Sequence, residues 1–146
     1  MQKLSRFIGT WRKLPGPGKL TFVTAAVSLL LIRVGLAVLP FSMFRKVFHW
    51  LTQSNANKEM SKAEIDQAVW AVDTAANLLP FELLCLPRAL ATKYLLRKLA
   101  ALTLEIGIEI NPNKAFEAHA WVERNGTIII GHWPNTISYK RLWVWE

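Results

Sequence analysis

The sequence predicts an α+β fold, in which N-terminal helices lead into a small antiparallel sheet, and three observations carry that expectation. Apolar residues recur at helical spacing through roughly the first 100 positions of the 146-residue chain. Leu104, Ile106 and Ile108 then alternate with Glu105, Gly107 and Glu109, which is the two-residue period of a strand. Asn125-Gly126 follows as a strong hairpin signal, because the tight turn it favours needs positive φ at both positions. The chain has the length of one domain and can bury a core of its own.

Composition narrows the setting. A single cysteine excludes an internal disulfide, and no signal peptide with a small-residue cleavage site is evident, so the expected compartment is the reducing cytoplasm. The 18 Lys+Arg against 10 Asp+Glu give a net charge of +8, which suits an anionic partner. Lys3, Arg6, Arg12, Lys13 and Lys19 gather ahead of the first apolar run, without an aromatic-rich strand motif or a glycine-rich basic segment. That pattern excludes nucleic acid as the expected partner and keeps association with the inner face of the membrane.

Residues 1–19 read as a basic tail, a short helix or frayed end closed by Leu14-Pro15-Gly16-Pro17-Gly18. Residues 20–52 read as apolar and amphipathic helices. Leu20 to Leu39 is close to the ~20 residues that cross a hydrocarbon core. Arg33 opposes crossing, since a central arginine costs about 2.5–3.5 kcal/mol on insertion scales. Two readings stay open, a spanning helix and a helix lying on the membrane or buried against protein. Pro40 breaks the run, and Phe41, Phe44, Val47, Phe48 and Leu51 then recur at helical spacing beside Arg45 and Lys46.

Thr52 to Met60 is a polar loop, and residues 61–146 form the core. Ser61 and Glu64 are spaced as a capping box, and Ile65, Ala68, Val69, Val72 and Ala76 mark the buried face of the helix they open. Asn77 to Pro80 ends it. In Leu84-Cys85-Leu86-Pro87, proline belongs in a helix's first turn, so Cys85 falls at a helix start. The peptide dipoles and free N–H groups there favour an anion and lower a thiol pKa. The helix is expected to run to Ala100 or Ala101, with Cys85, Ala89, Thr92, Leu96 and Leu99 facing inward. Arg88, Lys93, Arg97 and Lys98 are read as its solvated side, with Arg88 alternatively a ligand for a substrate carboxylate or carbonyl.

A second strand is expected over Phe116 to Glu123 and a third over Thr127 to Ile130. A two-residue loop would set Arg124 opposite Thr127, Trp121 opposite Ile130 and His119 opposite His132. His119, Trp121 and Glu123 would then share a sheet face, with Glu123 a solvated strand residue. Trp133 to Glu146 supplies either another strand or a covering segment. Cys85 and His119 are the candidate catalytic pair, since a thiol far from a histidine in sequence can meet it in the fold. The plainer alternative is a buried cysteine acting as small apolar filler. Cys85, His119 and His132 lack the CxxC or HExxH spacing of a metal site, so neither metal nor cofactor is expected.

A helix with an N-terminal cysteine followed by a sheet bearing the histidine is the core order of papain-like and transglutaminase-like folds. More closely, Cys85-Leu86-Pro87-Arg88-Ala89-Leu90, Ile106-Gly107-Ile108 and Ala118-His119-Ala120-Trp121-Val122-Glu123 resemble the lasso peptide biosynthesis B2 proteins, as does the apolar segment ending Leu39-Pro40-Phe41. The resemblance covers roughly residues 20–132 and matches the C-terminal domain of the microcin-processing B proteins. It implies a transglutaminase-like cysteine peptidase core and a bacterial leader peptidase acting on a ribosomally made precursor peptide. Its partners would be a B1-type leader-recognition protein and an ATP-dependent lasso cyclase. By motif, Cys85 attacks and His119 activates it. The family usually has an acidic residue on the strand after the hairpin, where this chain reads Ile130-Gly131-His132-Trp133-Pro134-Asn135. His132, and alternatively Asn135, are the candidates for that third position. The rival reading is a catalytically weak, membrane-associated peptide-binding scaffold.

Overall fold

The computed structural model describes residues 2–53, 58–79, 83–109, 117–133 and 139–145. Among the described residues, five helices come first, α1 (Gln2–Lys13), α2 (Gly16–Val38), α3 (Phe41–Thr52), α4 (Lys62–Leu78) and α5 (Cys85–Leu95). Four strands follow, β1 (Leu102–Glu109), β2 (Glu117–Arg124), β3 (Thr127–Ile130) and β4 (Tyr139–Trp145). They form one antiparallel sheet in the order β3-β2-β1-β4. The α+β class read from the sequence holds, and the C-terminal segment left open there supplies a strand.

The helical layer is built around α5. Ala89, Leu90, Ala91 and Thr92 are buried because α2 and α4 pack on one side of α5 and β1 and β2 on the other. Ser61 opens α4 as expected. Its hydroxyl accepts from Glu64 N at 3.2 Å, and Glu64 Oε2 accepts from Ser61 N at 2.9 Å. Helix α2 begins four residues earlier than its apolar run suggests. Pro17 lacks the N–H that a first turn leaves without an acceptor, so Gly16, Pro17 and Gly18 open this helix instead of closing the basic tail. Phe7 and Trp11 of α1 meet Phe22 of α2 at ring-centroid distances of 4.8 and 5.5 Å. Helix α2 is long and apolar enough to cross a membrane, yet Ala25, Leu29 and Ile32 on one stripe are buried against α4 and α5.

Three features depart from the sequence reading. Helix α5 ends at Leu95 rather than Ala100, because the chain turns through Leu96 to Leu99 and a positive φ of 60° at Ala101 to enter β1. Leu96 and Leu99 still reach the core, Leu99 beside the backbone of Lys58. Lys93 is buried rather than solvated, with its ammonium donating to the Leu102 carbonyl at 3.3 Å. Burial of a lysine requires such partners.

The hairpin register also differs. Asn125 and Gly126 take φ of 51° and 81°, and Arg124↔Thr127 and Glu123↔Ile128 pair as expected. A bulge then shifts the register so that Val122 faces Ile130. Strict alternation would turn one of Ile128-Ile129-Ile130 outward at each step, whereas the extra residue lets both Ile129 and Ile130 pack on the core. The expected pairings Trp121–Ile130 and His119–His132 are therefore absent, and β3 ends where β2 continues.

Leu29 joins α2 to the rest of the core and is fully buried. Leu29→Ala is expected to lower stability by about 2–5 kcal/mol through the cavity it leaves, read from denaturant unfolding.

Candidate active site

Cys85 is the first residue of α5, preceded by Leu84 in extended backbone. The turn before the helix is fixed by Arg88. Its Nε donates to the Leu83 carbonyl at 2.9 Å, one guanidinium nitrogen to Asp73 Oδ1 at 3.0 Å, and the other to Asn77 Oδ1 at 2.9 Å. Arg88 is thus not a solvated cation: it lines the cleft beside Cys85 with three of its N–H groups committed to the protein. It ties the approach to Cys85 onto α4, using the planar fork that only arginine offers.

His119 comes from β2, at the point where β3 has peeled away. Its Nε2 lies 2.6 Å from the Gly131 carbonyl, an atom that can only accept, so Nε2 carries the hydrogen. In the neutral ring, Nδ1 is then the bare nitrogen, free to take a proton from a thiol. Three aromatic rings hold the imidazole in place. Tyr139 stacks at 4.9 Å, Trp121 lies nearly parallel at 6.1 Å, and Trp133 meets it edge-on at 5.8 Å.

The two groups are joined by a hydrogen bond between the Cys85 thiol and His119. Burial pushes the thiol pKa up, but this hydrogen bond, backbone donors at Ala120 and Leu86, and the imidazolium charge outweigh it, so the net displacement is downward. The Ala120 donor is available because β3 no longer pairs with β2 there. His119 is pushed up, chiefly by the bond to Cys85, against a smaller opposing effect of burial and with help from the Gly131 carbonyl. Opposite displacements favour a thiolate–imidazolium pair.

Gly131 is demanded by this geometry. It has φ of 91°, and a Cβ there would fall 2.8 Å from the Ala120 carbonyl oxygen and 2.8 Å from the Trp121 side chain. Gly107, facing His119 across β1 and β2, is demanded for a similar reason, since a Cβ would lie 2.8 Å from the Trp121 ring.

Glu123, read from the sequence as solvated, is buried. It accepts from Trp121 Nε1 and from an Arg141 guanidinium nitrogen, each at 2.8 Å, while Arg141 Nε sits 3.0 Å from Glu105 Oε2. Burial raises both carboxyls, and the nearby Glu123 raises Glu105 further, whereas bonds from Trp121, Glu105 and Arg141 hold Glu123 below its ordinary value. Of the two carboxyls, Glu123 is therefore the one whose surroundings favour the anion. This network anchors Trp121, which in turn supports the His119 ring.

Cys85, His119 and His132 all line one cleft of about 490 Å³, together with Ala89, Ala120 and Gly131. His132 is exposed, and the nitrogen of His119 it was expected to orient is engaged by Gly131 instead. The expected His119–His132 pairing fails because the bulge moves the register by one residue. Asn135, the other candidate, lies outside the described residues. Among the described residues no group of three His, Cys, Asp or Glu is disposed to hold a metal ion. The orienting backbone carbonyl was invisible in the sequence, because only side chains announce themselves there.

Comparison with protein-family models gives a match to the transglutaminase-like superfamily over residues 26–144. Neither the curated proteins nor the solved structures gave a match.

Two measurements check the site. The alkylation rate of Cys85 by iodoacetamide should already be high below pH 8 and rise as pH passes through the lowered thiol pKa. His119→Ala leaves burial as the largest influence on the thiol and should slow alkylation at pH 6 by about tenfold or more. Gly131→Ala should slow it too and lower stability by about 1–3 kcal/mol, measured on the same sample by denaturant unfolding.

Proposed function

The chain belongs to the transglutaminase-like superfamily, and from that premise we propose that it is a cysteine peptidase. The observation that carries this reading is the thiol–imidazole hydrogen bond, with Cys85 displaced downward and His119 upward, in an open cleft. The Cys85 thiolate attacks the scissile carbonyl carbon, and the C–N bond breaks as His119 protonates the leaving amine. His119 then takes a proton from water, whose oxygen displaces the sulfur and frees the carboxylate product. The first N–H groups of α5, which have no acceptor within the helix, are suited to hold the oxyanion.

The substrate we infer is the leader of a ribosomally made precursor peptide in lasso peptide maturation. The supporting observation is the resemblance in the Cys85 and His119 segments described above. On this reading a B1-type protein presents the leader, and a cyclase closes the ring on the freed amine. Neither metal nor cofactor enters the cleavage chemistry.

One observation favours a second reading, a weakly catalytic peptide-binding scaffold. Among the described residues no carboxylate reaches His119, and its Nε2 is held by a neutral carbonyl. Loss of the orienting carboxylate costs about 10⁴ in the best-studied serine triad. The downward displacement of Cys85 lessens the need for such a carboxylate, since its surroundings already favour the thiolate.

The test is mass spectrometry of the precursor mixed with its recognition protein and this chain. Leader release by the parent that disappears in Cys85→Ala and falls at least about 10³-fold in His119→Ala is expected. His132→Ala should cleave within a few-fold of the parent, because His119 is oriented by Gly131. A folded parent that binds leader without cutting it overturns the peptidase reading in favour of the scaffold.

A further inference from the structure

The net charge of this protein resides in its first helices. Residues 1–58 hold nine Lys or Arg and no Asp or Glu, whereas residues 59–146 hold nine Lys or Arg and ten Asp or Glu. The same N-terminal region carries the largest apolar exposure. At 100° per residue, Leu20, Val27, Leu31, Val34 and Val38 lie on the side of α2 opposite the buried Ala25, Leu29 and Ile32. Leu31 is 67% and Val38 73% exposed. Helix α3 adds Met43, Val47, Leu51 and Trp50, the last 72% exposed. The two faces meet at an apolar groove of about 410 Å³ lined by Val27, Leu31, Phe48 and Leu51.

We propose that α2 and α3 lie in the interface of an anionic bilayer, with this shared apolar face in the acyl region and flanking cations against lipid phosphates. A spanning α2 does not fit the packing. Its other face is buried on α4 and α5, which carry Glu64, Asp66, Asp73 and Arg88, and crossing would draw these charges into hydrocarbon. Lying flat leaves that packing intact. Lys46 on α3 is exposed beside Trp50, and the half-buried Lys19 lies near the start of α2; both are suited to reach headgroups. Trp50 has the amphipathic ring that favours the membrane boundary. A protein partner of ordinary composition would not need an acid-free stretch of this length, whereas an anionic lipid surface rewards every cation near it.

The experiment is vesicle flotation of the full chain, using phosphatidylcholine alone and phosphatidylcholine mixed with phosphatidylglycerol, together with its solution mass in the absence of lipid. Binding at least about tenfold tighter to the anionic vesicles, weakened by salt, is expected. Leu31→Glu/Trp50→Glu should lose that binding while Cys85 alkylates at the parental rate, which shows that the core is intact. Equal affinity for both vesicle types, or parental binding by the double variant, would overturn the proposal. A lipid-free dimer that the same substitutions convert to monomer would overturn it as well, assigning the face to a second copy of the chain.

Discussion

The hydrogen bond between Cys85 and His119 has to outweigh the desolvation of a half-buried thiol, and much of the fold can be understood as meeting that condition. Burial alone favours the neutral thiol. Against it the protein sets an imidazole, the Ala120 and Leu86 backbone donors and the start of α5. None of these groups is unusual by itself. Their convergence depends on where one helix begins and where one strand stops.

That convergence is governed by the edge of β2. If β3 continued beside it, the Ala120 amide would be spent on the ladder and no opening would remain for a helix end. The bulge after Glu123↔Ile128 and the positive φ of Gly131 turn the chain away instead. The same turn aims the Gly131 carbonyl at His119 Nε2, so one local irregularity both opens the site and fixes the tautomer that leaves Nδ1 for the thiol. Beneath it, the buried Glu105 and Glu123 carboxyls, bridged by the exposed Arg141, form a network that holds Trp121 under the imidazole. A backbone carbonyl is a weaker electrostatic partner for an imidazolium than a carboxylate, and the aromatic rings of Tyr139, Trp121 and Trp133 supply positional restraint in place of charge.

Helix α2 has two contrasting faces. One is continuous with the core through Leu29, and the other is as apolar but uncovered. Composition sees only their sum, which is why this segment reads as a candidate span. The division of labour between the faces appears only when α4 and α5 are in place.

The sequence by itself determined the elements whose causes are local. Pro87 sets the start of the Cys85 helix, Ser61 and Glu64 cap α4, Asn125-Gly126 makes the hairpin, and alternation marks β1. Each depends on neighbours within a few residues, so spacing suffices to read it. Tertiary structure decided what depends on residues far apart. Whether Lys93, Glu105 and Glu123 are buried depends on which elements cover them, and their charge alone argued for solvent. The role of Arg88 depends on α4 passing close enough to offer Asp73 and Asn77. The bulge depends on whether the core has room for both Ile129 and Ile130, and a one-residue shift there exchanges His132 for a carbonyl. Side-chain identity is written in the sequence, but the direction of a backbone carbonyl is set by the packing of the whole domain.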